Sequence, residues 1–165
     1  MSKTDNTLMD SSLGGSSMCN RKDNIKQYCS ICEPMVYSAT DNTTSVIAEG
    51  QYRDLSFIVI NSMHKYPCAY VDVAPTKLNG FTEKDLYLCC HGGVTYSKES
   101  LPRQGEKGWW IGWDYAHWGD FVPFISMGID IDRTQRKWTT EEVVEECLNV
   151  IDEVWVYDAK GGWLE

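Results

Sequence analysis

Leu55-Ser56-Phe57-Ile58-Val59-Ile60 and, after a short polar break, Cys68-Ala69-Tyr70-Val71-Asp72-Val73-Ala74 are the two most strand-like runs in the chain. The first is β-branched and aromatic almost throughout and ends at Asn61-Ser62, as a strand buried on both faces does. The second opens at Pro67 and closes at Pro75. The break between them is too short for a crossover helix, so the pair predicts an antiparallel hairpin.

Downstream, Leu86-Tyr87-Leu88-Cys89-Cys90-His91 predicts a third strand ending in Gly92-Gly93. Alternation there puts Leu86, Leu88 and Cys90 on one face and Tyr87, Cys89 and His91 on the other. Trp109-Trp110-Ile111-Gly112-Trp113 predicts a fourth strand, ending at Asp114. Leu78 to Asp85 is a polar connector with a turn at Asn79-Gly80 and a candidate cap at Thr82. Ser97 to Gly108 reads as a loop, from Pro102, Gly105, Gly108 and its charges. Upstream, Thr44 to Ala48 suggests a short strand, and residues 1–24 have the polar composition of a mobile tail.

One helix is well marked. Thr139 and Glu142 have the spacing of a capping box. Behind it Val143, Val144, Cys147, Val150, Ile151, Val154 and Trp155 form one apolar stripe, with Glu141, Glu142, Glu145, Glu146, Asp152 and Glu153 mostly off it. The acidic row reads as a solvated face, and Lys160-Gly161-Gly162 ends the helix. A strand-rich middle followed by this helix predicts an α+β fold, a small antiparallel sheet with one amphipathic C-terminal helix packed on one face. Residues 1–49 read as an N-terminal extension and 50–165 as a single domain.

The chain of 165 residues carries a formal charge of −9, which argues against direct nucleic-acid binding because cations are needed to neutralise phosphates. No secretory signal and no membrane-length apolar run are visible, so the expected location is the cytoplasm, with seven reduced cysteines. Cys29-Ser30-Ile31-Cys32 is a single CxxC, whereas a closed structural zinc site needs four ligands. His64, beside Lys65 and Pro67, reads as an ordinary turn residue.

Rare residues concentrate between Cys89 and Phe121. His91-Gly92-Gly93 would expose a histidine at a strand end, with glycines that let a ligand approach main-chain amides, and Thr95, Tyr96 and Ser97 add hydroxyls. Asp114, His117 and Asp120 are spaced three apart, so a helical turn would align them on one face. Carboxylate beside imidazole fixes a tautomer and raises basicity, and the same residue types suit a divalent metal. The plain alternative is structural: a tight Gly-Gly turn, a capping aspartate, and His117 packed under Trp118. Taken together, the two pieces predict a pocket with His91 and His117 as base and acid, and Asp114 or Asp120 orienting one of them. Gly92, Gly93, Thr95, Tyr96, Ser97, Trp110 and Trp113 would line it. No cofactor is assigned.

The pairing of His91-Gly92-Gly93-Val94-Thr95-Tyr96-Ser97 with Trp110-Ile111-Gly112-Trp113-Asp114-Tyr115-Ala116-His117-Trp118-Gly119-Asp120 resembles a family of small, uncharacterised proteins of tailed bacteriophages and prophages of Gram-positive bacteria. The resemblance extends over residues 50–156, with Pro67 to Val71 in the place of an upstream strand and Thr139 to Trp155 as the closing helix. The chain departs from that pattern at Trp113, where the family has Phe, and in residues 1–49. The family implies no activity. It implies a phage-encoded accessory protein working in the host cytoplasm, and the histidine pocket itself is what suggests a small-molecule or nucleotide-type ligand and hydrolytic or transferase chemistry. The alternative is a non-catalytic acidic protein that inhibits a host defence factor through its acidic helix and aromatic surface.

Overall fold

The structure, a computed structural model, describes residues 29–101, 106–123 and 135–162. In chain order it contains β1 (Cys29–Cys32), β2 (Ser45–Tyr52), β3 (Leu55–Ser62), β4 (Tyr66–Asp72), a 3₁₀ turn (Glu83–Asp85), β5 (Tyr96–Ser100), β6 (Lys107–Asp114) and one helix, α1 (Thr140–Lys160). The strands form a six-stranded antiparallel sheet in the order β1-β2-β3-β4-β6-β5. With α1 on one face, this is the α+β arrangement read from the sequence. No described helix is long and apolar enough to cross a membrane.

The hairpin of β3 and β4 is as expected, with Phe57 opposite Val71 and Ser62 opposite Tyr66. The β2–β3 and β3–β4 turns place Arg53, Asp54, Met63 and His64 at positive φ, between 48° and 64°. This is the backbone that matches strand twist in tight hairpins. His64 is indeed a turn residue, and its Nδ1 lies 2.8 Å from Asp41.

Alternation along the strands sorts side chains into two clusters. Phe57, Val59, Ala69, Val71, Ile111 and Trp113 face α1, and meet Val143, Val144, Cys147, Leu148, Val150, Ile151 and Val154 of the helix. Ile58, Ile60, Cys68, Tyr70, Leu101 and Trp110 lie together on the opposite face. The capping box at Thr139 and Glu142 is formed, and Gly161 at φ 78° closes the helix by donating its amide to the Tyr157 carbonyl. Trp155, placed on the buried stripe by its spacing, is instead 49% exposed, with Arg53 stacked over its ring at 4.5 Å.

Three expectations need correction. Residues 86–91 do not join the sheet. Leu86 and Leu88 are buried and Tyr87 exposed, as alternation required, but the segment lies along α1. The Cys89 amide donates to Glu153 (2.9 Å) and the His91 amide to Glu146 (2.9 Å). Backbone amides need acceptors, and here helix carboxylates supply them in place of a neighbouring strand. It follows that Glu146 and Glu153 are not a solvated face. Conversely, the expected loop from Ser97 contains β5, an edge strand whose Lys98 and Glu99 are exposed. Charged side chains are how edges avoid further pairing, and they also disguise the strand.

The boundary expected after Glu49 falls inside β2, so the sheet takes strands from both sides of it. The tail expected over residues 1–24 lies outside the described residues.

Candidate functional site

Three segments converge beside the start of α1: the turn at 91–93, the chain leaving β6 at 114–121, and residues 136–138. The last two are tied together by main-chain bonds, Arg136 N to Gly119 O (2.8 Å) and Phe121 N to Arg136 O (2.9 Å).

At the centre is Asp120, 4% exposed. Its Oδ2 is 2.7 Å from His91 Nε2 and accepts the His117 amide at 2.9 Å, while Oδ1 accepts Trp138 Nε1 at 2.8 Å. Burial works against the charge, but the bonds from Trp138, His91 and the His117 amide outweigh it and hold the Asp120 carboxyl below its ordinary range. With an ionised Asp120 the bond from His91 puts the hydrogen on Nε2, which leaves Nδ1 of a neutral ring with the lone pair.

The His91 ring stacks on Tyr115, with centroids 4.9 Å apart and planes 4° from parallel, and meets the edges of Trp138 (4.9 Å) and His117 (5.2 Å). Tyr115 is wholly buried and donates to Glu146, whose Oε2 also accepts Trp113 Nε1 at 3.0 Å. Burial, with Cys147 and Glu146 nearby, pushes the Tyr115 phenol well up, so it stays neutral. Burial and the charges of Glu146 and Glu153 push the adjacent Cys90 thiol up to about 12, which leaves it unactivated.

His117 is held differently. Its Nδ1 lies 3.8 Å from Asp120 Oδ2 and 3.9 Å from Asp114 Oδ1, beyond hydrogen-bond reach of both. That nitrogen is buried and has no hydrogen-bond partner. The ring sits against Gly92, where a Cβ would come within 2.2 Å of it. Gly92, at φ 68°, is therefore required twice, by its backbone and by the imidazole.

The residues singled out from sequence thus divide. His91, His117 and Asp120 come together. Asp114, the last residue of β6, stands at the margin, accepting the Ala116 amide at 3.1 Å, and the chain after it makes an irregular turn and not a helix. The opening left by Gly92 is filled by His117, and the Gly93 amide is bonded to Cys90 O. Ser97 is spent on Phe81 O and Trp109 Nε1. Trp110 belongs to the opposite face of the sheet, and Trp113 is buried behind Tyr115. Thr95, Tyr96 and Asp114 line a separate cleft of about 340 Å³ with Tyr66 and Tyr70, again on the opposite face.

Trp118 does not cover His117; it is fully exposed. Trp138 packs against His91 instead. Trp138, Tyr115 and Glu146 escaped the sequence reading as site residues. The available signals were the position of Trp138 just before the cap, and of Tyr115 between Asp114 and His117. Comparison with protein-family models, with curated proteins and with solved structures finds no match to this chain.

Proposed function

We propose that this is a phage-encoded accessory protein of the host cytoplasm that binds a small, nucleotide-type ligand at the His91–His117–Asp120 cluster. Its chemistry there is proton transfer, of the hydrolytic or transferase class. The observation that carries the reading is the convergence of both histidines on one buried carboxylate. A carboxylate that fixes the tautomer of His91 makes its free nitrogen a general base, and His117 beside it is the second proton carrier. Trp118, next in the chain and fully exposed, offers a flat ring on which a base can stack. Arg136, over the Trp138 ring at 3.6 Å, is a nearby cation for a phosphate. The phage setting is supported by the resemblance of the two motifs.

The test is thermal-shift titration of the full chain with a panel of nucleoside mono-, di- and cyclic phosphates. At least one raises the melting temperature of the wild type, and the folded double variant His91→Ala/His117→Ala loses that rise. A wild type unmoved by the whole panel, or a double variant that still responds, rejects the pocket.

The alternative is a non-catalytic protein that binds a host factor. Its best support is the exposed Trp118, since Glu146 and Glu153 of the acidic helix already serve the fold. It predicts that Trp118→Ala abolishes the phage phenotype while the double histidine variant keeps it.

A further inference from the structure

The proposed ligand site contains a group that proton transfer alone does not explain. His117 Nδ1 is a buried polar atom without a hydrogen-bond partner, facing two carboxylates from just outside bonding distance. Such atoms are rare in folded proteins, and an ion or water is a common reason for them.

The spacing is informative. Donor atoms of a tetrahedral zinc site, each about 2.1 Å from the metal, stand about 3.4 Å from one another. His117 Nδ1 and Asp120 Oδ2 are 3.8 Å apart, too far for a hydrogen bond and close to the edge of such a tetrahedron. One donor atom from each of His91, His117 and Asp120 lies within 4.8 Å of the others. The set is two imidazoles and one carboxylate, which suits first-row divalent ions.

The three donors are also held in place. Asp120 is oriented by Trp138 Nε1 and the His117 amide. The His91 ring lies flat on Tyr115, and the His117 ring is seated on Gly92. Metal ligands need this outer support to hold their orientation. The Cys29–Cys32 pair, the other candidate in the chain, has no third donor grouped with it among the described residues.

We propose that His91 Nε2, His117 Nδ1 and Asp120 Oδ2 bind one divalent ion of the zinc class. This inference rests on the reading of the cluster as a functional site, and it changes what the site would do. Coordination takes the place of the 2.7 Å hydrogen bond between His91 and Asp120, and the neutral ring then carries its hydrogen on Nδ1. Three protein ligands leave a fourth position for water or for an oxygen of the ligand, the pattern of catalytic and not of structural zinc. Asp114, 3.9 Å from His117 Nδ1, is placed to accept a hydrogen bond from what occupies that position.

The test uses the full-length chain stripped with a chelator and titrated with Zn²⁺ alone, then with Co²⁺ as a spectroscopic probe. One equivalent binds and raises the melting temperature. Co²⁺ gives visible d–d bands without a thiolate charge-transfer band, and Cys29→Ser/Cys32→Ser binds as the wild type does. His117→Ala, folded by circular dichroism, binds at least about tenfold more weakly. His117→Gln serves if the alanine variant is unfolded. The inference is overturned by a wild type that binds no metal, by thiolate bands lost in the cysteine variant, or by unchanged affinity on removal of the imidazole. Zinc binding without a response to any nucleotide rejects the proposed ligand and leaves the metal. A nucleotide response that persists in chelator, with no zinc bound, does the reverse.

Discussion

Gly92 carries two demands that can be separated experimentally. A φ of 68° costs an alanine about 1–2 kcal/mol wherever it occurs. The contact of a Cβ with the His117 ring, at 2.2 Å, is a further cost specific to that neighbour. Gly92→Ala is therefore expected to destabilise the protein by at least about 2 kcal/mol, adding a steric term to the backbone strain. In a His117→Ala background the same change should cost only the backbone share, about 1–2 kcal/mol. Chemical denaturation of the four members of this cycle measures the difference. Additive effects would mean that Gly92 and His117 are not in contact, because neighbours that share a clash do not add. The same seat holds the imidazole that the metal and the proton-transfer readings both need.

At the scale of elements, the unexpected partner of α1 is the segment from Leu86 to Gly93, docked through carboxylates and not through a sheet ladder. Glu146 is the key residue of that docking, accepting from the His91 amide, Trp113 Nε1 and the Tyr115 hydroxyl. In Glu146→Gln one acceptor oxygen becomes a donor facing donors, and leaving such groups unpaired costs about 1–3 kcal/mol. Denaturation should register that loss, and amide exchange at His91 should speed up while β3 and β4 stay protected. A variant within about 0.5 kcal/mol of wild type, the range of ordinary surface changes, would remove Glu146 from this role. This segment also shows where sequence reasoning stops. Its alternation of Leu86, Tyr87, Leu88 and Cys89 matches a strand, because burial of one face has the same signature whether the backbone pairs with a strand or with glutamates 55 and 64 residues away. The runs at β3, β4 and β6 and the capping box of α1 were legible because local periodicity and local caps specify them. β5 was hidden by its charged edge, and the β2–β3 hairpin turn by Arg53-Asp54 in place of the Asn-Gly type signal. His91, His117 and Asp120 stood out by residue type. Glu146, which supports them from α1, looks in sequence like any member of the acidic row, and Trp138 is marked only by its place just before the cap.

Over the whole molecule, the junction between sheet, loops and the N-terminus of α1 is held by two carboxyls that the fold keeps ionised. For Asp120, burial opposes the charge and the three hydrogen bonds prevail. For Glu142, a smaller burial cost is outweighed by the Thr139 amide and the Arg136 guanidinium. Both carboxyls lie below their ordinary range when folded. A carboxyl depressed by folding contributes stability that is fully present above its unfolded value, about 4, and that disappears as the pH falls through the folded value. The melting temperature should therefore be level from neutral pH down to about 5 on this account, then fall as the pH drops below the ordinary carboxyl range, about 4, and both groups bind protons. Asp120→Asn removes one titrating group and Glu142→Gln the other, so each should lower stability at pH 7 and flatten the acid limb. The double variant should flatten it further. Melting curves from pH 7 to pH 2 decide the matter: acid limbs that run parallel in wild type and variants would place the acid sensitivity elsewhere among the 24 acidic residues of the chain.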